Sequence, residues 1–286
     1  MKLGGYNYGT KEWFENKFKD LDQGDGWGHS FHYSQKYRMR LCLTILGRNM
    51  PVQDDYNILD IGCGACDFTH LVHKINTKNK IFATDISENA VSYNSRNFLD
   101  FEHSVQKLPV LNLPDSHFDL IMALEVVNYL TKIERVEAMI SIKSKLKVSG
   151  QFLFSTVISD DPRYFTEVEA LDLLKKHFKI SEVHYNHSKL WEYFEYIPVG
   201  LLNLYSIYSK GKISEILYLT NNLVLRRILT NKRFISFVFP LINILSLPSK
   251  SFLKSKLLFS LVNTFSRFIF PNSGKSHIII LANKTD

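Results

Sequence analysis

The sequence predicts an α/β fold: a doubly wound, seven-stranded, mostly parallel sheet with a helical insertion before the last strand. Three observations carry this expectation. Short apolar strand patterns alternate with helical patterns along residues 57–185. The first of these strands, Ile58-Leu59-Asp60-Ile61, runs into a turn at Gly62 and Gly64. Roughly 90 residues then separate the sixth strand from the next strand-like run, Ser276 to Ala282.

In chain order, residues 11–21 read as a short helix, ended by the turn formers Asp22-Gln23-Gly24-Asp25-Gly26. Ser30 can cap a second helix that closes at Gly47, with Tyr33, Tyr37, Leu41 and Ile45 stacked on one face. Strands follow at about 57–62, 80–86, 101–105, 118–126 and 151–158, with helices near 67–76, 88–98 and 131–147 between them. A helix over about 165–177 leads to the sixth strand, Lys179 to Tyr185. The organisation expected is a helical cap over residues 1–50, a core over 51–187, an insertion over 188–273 and a last core strand in 274–286.

The glycine turn and the following strand imply a nucleoside cofactor. Gly62 and Gly64 let the backbone pass close to a ligand in conformations that a Cβ hinders. Asp85 ends the second strand, twenty-one residues after Gly64, where its carboxylate can accept hydrogen bonds from both ribose hydroxyls. A dinucleotide fold closes its helix on pyrophosphate through a last small residue; here that place holds Asp67, whose charge repels phosphate. Cys63 and Cys66 form a C-x-x-C, but no second cysteine pair accompanies them, and their place inside the turn favours a structural over a redox or zinc-binding reading.

The string Asp60-Ile61-Gly62-Cys63-Gly64-Ala65-Cys66 resembles the first motif of class I S-adenosylmethionine-dependent methyltransferases, D-x-G-x-G-x-G, with Cys66 in place of the third glycine. Asn79 to Ile86 resembles the second motif of that family, and Leu113 to Ile121 the approach to its fourth strand. Glu125-Val126-Val127-Asn128-Tyr129-Leu130 then stands where the family often has Glu-Val-Leu-x-x-Leu. The resemblance implies a Rossmann-like fold, S-adenosyl-L-methionine as cofactor, and contacts to it from Tyr37, Asp60, Gly62, Gly64, Asp85, Ile86 and Glu125. The acidic residue usual after strand three is missing, so Gln106 or a backbone group has to meet the adenine amine. Trp27 to Tyr37 is similar to the W...S-x-Y-E-x-x-K-Y segment of the rhizobial nodulation-factor N-methyltransferases, which act on the glucosamine end of a chitin oligosaccharide; His32 and Tyr33 depart from that pattern.

Composition locates an unusual surface. The chain has 286 residues, 45% of them apolar, enough for one domain with an elaboration. No apolar signal region follows the first residues, and Cys42, Cys63 and Cys66 fit a reducing cytoplasm. The net charge is +7, yet residues Tyr196 to Ser273 alone carry +9, which leaves the rest at −2. That basic segment is also apolar, but Pro240 and Pro248 limit its greasiest run below the ~20 residues of a membrane span. It reads as a contact with an anionic membrane surface, or as a lid or dimer face. A nucleic-acid partner is disfavoured, because the apolar content is high and no binding module is visible.

The acceptor chemistry points to the N-terminal segment. A hydroxyl must lose its proton as it is methylated, whereas an amine needs only to be neutral. His29 and His32 are the base candidates, since imidazole titrates near neutral pH. Glu125, at the carboxyl edge of strand four, is the third catalytic candidate. The expected activity is methyl transfer to a hydroxyl or amine of a sugar or lipid-linked glycan, at the inner face of a membrane. The alternatives are a small-metabolite methyltransferase with a lid, and a catalytically silent interaction subunit.

Overall fold

The computed structural model describes residues 2–3, 6–21, 33–51, 55–188, 190–191, 254–269 and 275–285. Packing groups the chain into two units, one of residues 1–27, 37–187 and 275–286, the other of residues 28–36 and 188–274.

The first unit holds the sheet. After a hairpin of two-residue strands, β1 (Lys2–Leu3) and β2 (Tyr6–Asn7), come α1 (Lys11–Lys17), α2 (Tyr33–Asn49), β3 (Asn57–Ile61), α3 (Asp67–His73), β4 (Lys80–Asp85), α4 (Glu88–Asn97) and β5 (Glu102–Val105). Then follow β6 (Phe118–Leu124), a short 3-10 turn (Val127–Tyr129), α5 (Lys132–Lys145), β7 (Leu146–Val157), α6 (Glu167–His177) and β8 (Phe178–Tyr185). The last described elements are α7 (Lys256–Ile269) and β9 (His277–Lys284). The seven strands lie in the order β5-β4-β3-β6-β7-β9-β8. All pairings are parallel except those of β9, which runs antiparallel to both β7 and β8.

Burial on both faces explains the strand sequences. Ile58 and Leu59 point to opposite sides, and each is fully buried. Phe118, Ile121 and Ala123 join Ile278, Ile280 and Ala282 under α5 and α6, which contribute Ala138, Met139, Ile142 and Leu174. On the other face, Leu120, Met122, Ile279 and Leu281 pack with Cys42, Ile45 and Leu46 of α2 and Phe68 and Val72 of α3. Helices on both faces are what near-continuous apolar strands require. The strand order reverses between β3 and β6, so their carboxyl ends open a crevice suited to a ligand.

Four boundaries differ from the sequence expectation. Helix α1 stops at Lys17. Helix α2 passes through Gly47 to Asn49, where the Asn49 amide bonds the Ile45 carbonyl at 2.8 Å and Glu182 Oε1 at 2.7 Å and so takes over the end of the helix. Strand β6 ends at Leu124, leaving Glu125 just beyond it. Strand β7 starts at Leu146, because Ser149 at φ 64° and Gly150 carry a bulge through what reads as a turn. A Cβ on Gly150 would lie 2.9 Å from the Lys147 carbonyl oxygen and 3.0 Å from that of Phe118. The expected helical insertion falls mostly on residues 192–253, outside the described residues; α7 belongs to its end.

Arg135, on the buried side of α5, fixes the turn after β6. Its Nε donates to the Leu130 carbonyl at 3.0 Å, and its Nη2 to those of Asn128 at 3.2 Å and Arg163 at 2.8 Å. The guanidinium also lies 3.9 Å from the centre of the Phe165 ring. Lysine keeps the charge but cannot fork to three carbonyls or stack as a plane. Arg135→Lys should therefore cost about 2 kcal/mol, read as a lower denaturation midpoint at unchanged slope; an unchanged midpoint would contradict this role.

Candidate functional site

The glycine turn is built from backbone hydrogen bonds across β3 and β4. The Gly62 and Cys63 amides both donate to the Thr84 carbonyl, at 2.7 and 3.0 Å. Gly62 and Gly64 have φ of 72° and 54°, and Cys66, in the place of the third glycine, keeps the left-handed conformation with φ 57°. The turn therefore has the shape a glycine favours even where the glycine is absent. A Cβ on Gly62 would lie 2.4 Å from Val126 Cγ2. Two side chains hold Gly64: its amide donates to Asp85 Oδ2 at 3.0 Å, and its carbonyl accepts from the Asn94 amide at 2.7 Å.

Asp85 Oδ1 accepts from the Ser87 amide at 2.9 Å. Burial raises the Asp85 pKa, opposed by the amides of Ser87, Gly64 and Ile86. A carboxylate has about four acceptor positions, of which the Gly64 and Ser87 amides occupy one on each oxygen. Ile86 follows directly and is half-buried. Asp60 is fully enclosed, with Thr69 Oγ1 donating to its Oδ2 at 2.5 Å, and burial pushes its carboxyl up to about 7. A hydrogen bond with Cys66, and then burial, hold the Cys63 thiol well above its usual range, a poor state for redox or metal chemistry.

Helix α1 lies on this turn. Glu15 accepts from Ser87 Oγ at 2.8 Å and from the amides of Glu88 at 2.7 Å and Asn89 at 3.1 Å, capping α4 from outside. The buried Phe18 ring stands 3.6 Å from where a Gly64 Cβ would be. Tyr8, Trp13 and Phe14 gather around Tyr129, with ring centres 5.5, 6.2 and 5.0 Å away. Burial pushes the Tyr129 phenol up to about 12, so it stays a hydrogen-bond donor.

Glu125 adopts a left-handed backbone at φ 61°, a strained state for a residue with a side chain. Its Oε1 accepts from Ser155 Oγ at 2.7 Å and pairs with Arg38 Nη1 at 3.1 Å. Its Oε2 is buried without a hydrogen-bond partner among the described residues, 3.9 Å from His277 Nε2. Burial, with the Arg38 charge beside it, pushes His277 down to about 3, so the ring is neutral. Sequence reasoning missed Arg38, Ser155, His277, Glu15, Asn94 and Phe18. Arg38 alone left a signal, as a charge on the α2 stripe that continues through Cys42 and Ile45.

Of the remaining sequence candidates, Tyr37 lies half-buried on α2. Gln106 donates its backbone N–H to the Asp85 carbonyl at 3.0 Å, but both ends of its side-chain amide are engaged locally, by Ser104 Oγ at 3.4 Å and the Asn112 amide at 3.0 Å. His29 and His32 lie outside the described residues. His184 Nε2 is 2.6 Å from Glu182 Oε2.

Two predictions follow from the turn. Gly62→Ala combines a left-handed backbone with the Val126 clash, so it should destabilise the fold by about 2–4 kcal/mol and weaken cofactor binding. Denaturant unfolding and calorimetry measure both, and wild-type values in each would refute the packing argument. Asp60 has a folded pKa raised from 3.8 to about 7. Its contribution is complete below the unfolded value and is lost as pH rises through the folded one, by up to about 4 kcal/mol. The stability of Asp60→Asn relative to wild type should thus improve between pH 4 and about 8; a pH-independent difference would exclude the raised carboxyl.

A family model described as a methyltransferase domain matches residues 52–218, more than half of the chain. A curated relative, malonyl-[acyl-carrier protein] O-methyltransferase of Calditerrivibrio nitroreducens, is 26% identical over 197 residues, covering 64% of this chain and 74% of its own. Among solved structures, N-methyltransferase NodS from Bradyrhizobium japonicum, in complex with S-adenosyl-L-homocysteine, is similar with a TM-score of 0.53 and 16% identity, over 62% of this chain and 90% of NodS. The 1,6-didemethyltoxoflavin-N1-methyltransferase of Burkholderia thailandensis gives a TM-score of 0.53 and 14% identity over 96% of this chain and 87% of its own. At these identities the two structures attest the fold. The matched span contains the glycine turn, Asp85 and Glu125, and the chain belongs to this methyltransferase family, as a class I S-adenosyl-L-methionine-dependent enzyme.

Proposed function

We propose that this methyltransferase acts on a hydroxyl or amine of a sugar, with the sugar of a lipid-linked glycan as the preferred acceptor. The observation that carries the reading is the buried Oε2 of Glu125 at the carboxyl edge of β6, which has no hydrogen-bond partner among the described residues. An isolated buried oxygen costs free energy until a donor meets it. Hydroxyls and amines bring a proton to that oxygen. A carboxylate, such as a malonyl group carries, brings none and meets a like charge. The Arg38 pair and the Ser155 hydroxyl fix Glu125 in place beside the neutral His277 ring.

S-adenosyl-L-methionine, when bound, supplies a methyl group on a cationic sulfur. In this reading Asp85 holds the ribose, backbone at Gly62, Gly64 and Ile86 lies along the cofactor, and Tyr37 covers it. Asp60 supports the turn from beneath through Thr69, Glu125 supplies an acidic group that suits a cation, and a backbone group near Gln106 meets the adenine. The free oxygen of Glu125 orients the acceptor, and orientation contributes most of the rate in a direct displacement. His29 or His32 takes the proton when the acceptor is a hydroxyl. Residues 188–273 bring the enzyme to an acceptor anchored in lipid.

The test is transfer of labelled methyl from S-adenosyl-L-methionine into cell extract divided into lipid and water-soluble fractions. The label should enter a sugar-containing lipid and survive mild base, as an ether or N-methyl does. Base-labile label would identify a carboxyl acceptor, and label confined to a water-soluble compound without a sugar a small metabolite; either overturns the reading, while label in a water-soluble sugar overturns the lipid-linked preference. Asp85→Ala should lose about 1.5–3 kcal/mol of cofactor affinity by calorimetry. His29→Ala or His32→Ala should slow labelling of a hydroxyl about a hundredfold at unchanged cofactor affinity.

A further inference from the structure

Helix α7, Lys256–Ile269, turns the wrong residues outward for a protein surface in water. Leu257, Leu261 and Phe265 are 69%, 56% and 58% exposed, while Phe259 and Ser266 are buried. The three exposed side chains recur every fourth residue, so they form one stripe along a helix of 14 residues, about 21 Å long. Exposed Ser260 and Thr264 lie beside the stripe. The buried side is accounted for within the same unit: Phe259 packs on Tyr33 and Trp191, at ring centre distances of 4.9 and 5.0 Å. The apolar stripe is therefore not the face that holds the helix in place.

Charge selects the occupant. Exposed Lys254 and Lys256 stand at the start of the helix, Arg267 lies near its end, and the helix contains no acid. The stretch of sequence from Tyr196 to Ser273, which contains the helix, carries a net +9. Two copies meeting through this face would bring those charges together, whereas an anionic bilayer neutralises them and takes up the apolar stripe. No described helix is long and apolar enough to cross a membrane, so the contact is in the plane of the interface.

We infer that α7 docks on an anionic lipid surface, burying Leu257, Leu261 and Phe265 among the acyl chains with Lys254 and Lys256 at the headgroups. This surface names the partner for the lipid-linked acceptor and rests on that reading for its purpose, although its geometry is independent of the acceptor's identity.

The test is flotation of the full chain with vesicles of mixed phosphatidylglycerol and phosphatidylcholine, beside vesicles of phosphatidylcholine alone. Wild-type protein should float with the anionic vesicles, stay behind with the neutral ones, and be released as salt rises, since the attraction is screened within about 8 Å at physiological ionic strength. The triple variant Leu257→Ser, Leu261→Ser, Phe265→Ser should bind anionic vesicles at least tenfold more weakly. Lys254→Glu with Lys256→Glu should do the same by a separate route. Calorimetric affinity for S-adenosyl-L-methionine should match wild type in both variants, which shows that they are folded and separates this proposal from the methyltransferase assignment. Absence of flotation in wild-type protein that binds its cofactor overturns the inference, as does undiminished flotation of the triple variant. A concentration-dependent dimer that the serine changes abolish, without flotation, assigns the stripe to a second copy instead.

Discussion

One hydrogen bond ties the parts of the candidate cofactor site together: the Gly64 amide to the Asp85 carboxylate, at 3.0 Å. It joins the turn after β3 to the tip of β4, so the glycine backbone and the Asp85 carboxylate are set by the same contact. The other Asp85 oxygen starts α4 through Ser87, and α4 returns Asn94 to the Gly64 carbonyl. The loop closes on itself. Each member fixes the next, and a change at any of them displaces the rest rather than removing a single contact. Glu15 extends the arrangement to α1, because it caps the same helix start from the other side.

What the sequence showed and what it hid have a common physical cause. The core strands were legible because burial on both faces leaves uninterrupted apolar runs, as in Ile278 to Ala282. The glycine turn was legible because its backbone demands particular residues at fixed spacing. The partners of Glu125 were not, since Arg38 and Ser155 reach it from elements far apart in the chain, and nothing near them in sequence announces the meeting. Neutral His277 is a further case: its state comes from enclosure beside Arg38, a property of the folded sheet alone. Boundaries failed where a bulge or a side-chain cap overrode local preference, at Ser149 and at Asn49.

The strain at Glu125 has a use in this setting. A left-handed backbone just past β6 lets its amide reach the Ser155 carbonyl at 3.0 Å while the side chain pairs with Ser155 Oγ. An ordinary extended continuation would carry the side chain along the strand direction. The fold thus spends conformational energy to hold one oxygen pinned and the other available, a division of labour that neither Arg38 nor Ser155 could impose alone.

The antiparallel β9 has a consequence for how the molecule is made. Strand β8 has no pairing with β7; β9, which is synthesised roughly 90 residues after β8, lies between them and is the one neighbour of β8 in the sheet. While the ribosome is still producing the intervening segment, the apolar flank of β7 stays open and β8 has no neighbour, a condition that invites holding by chaperones. The two ends of that segment finish side by side, Tyr185 opposite Ile278. Its length can therefore drift over evolutionary time without disturbing the sheet, which makes this junction a natural place for the enzyme to acquire a new address.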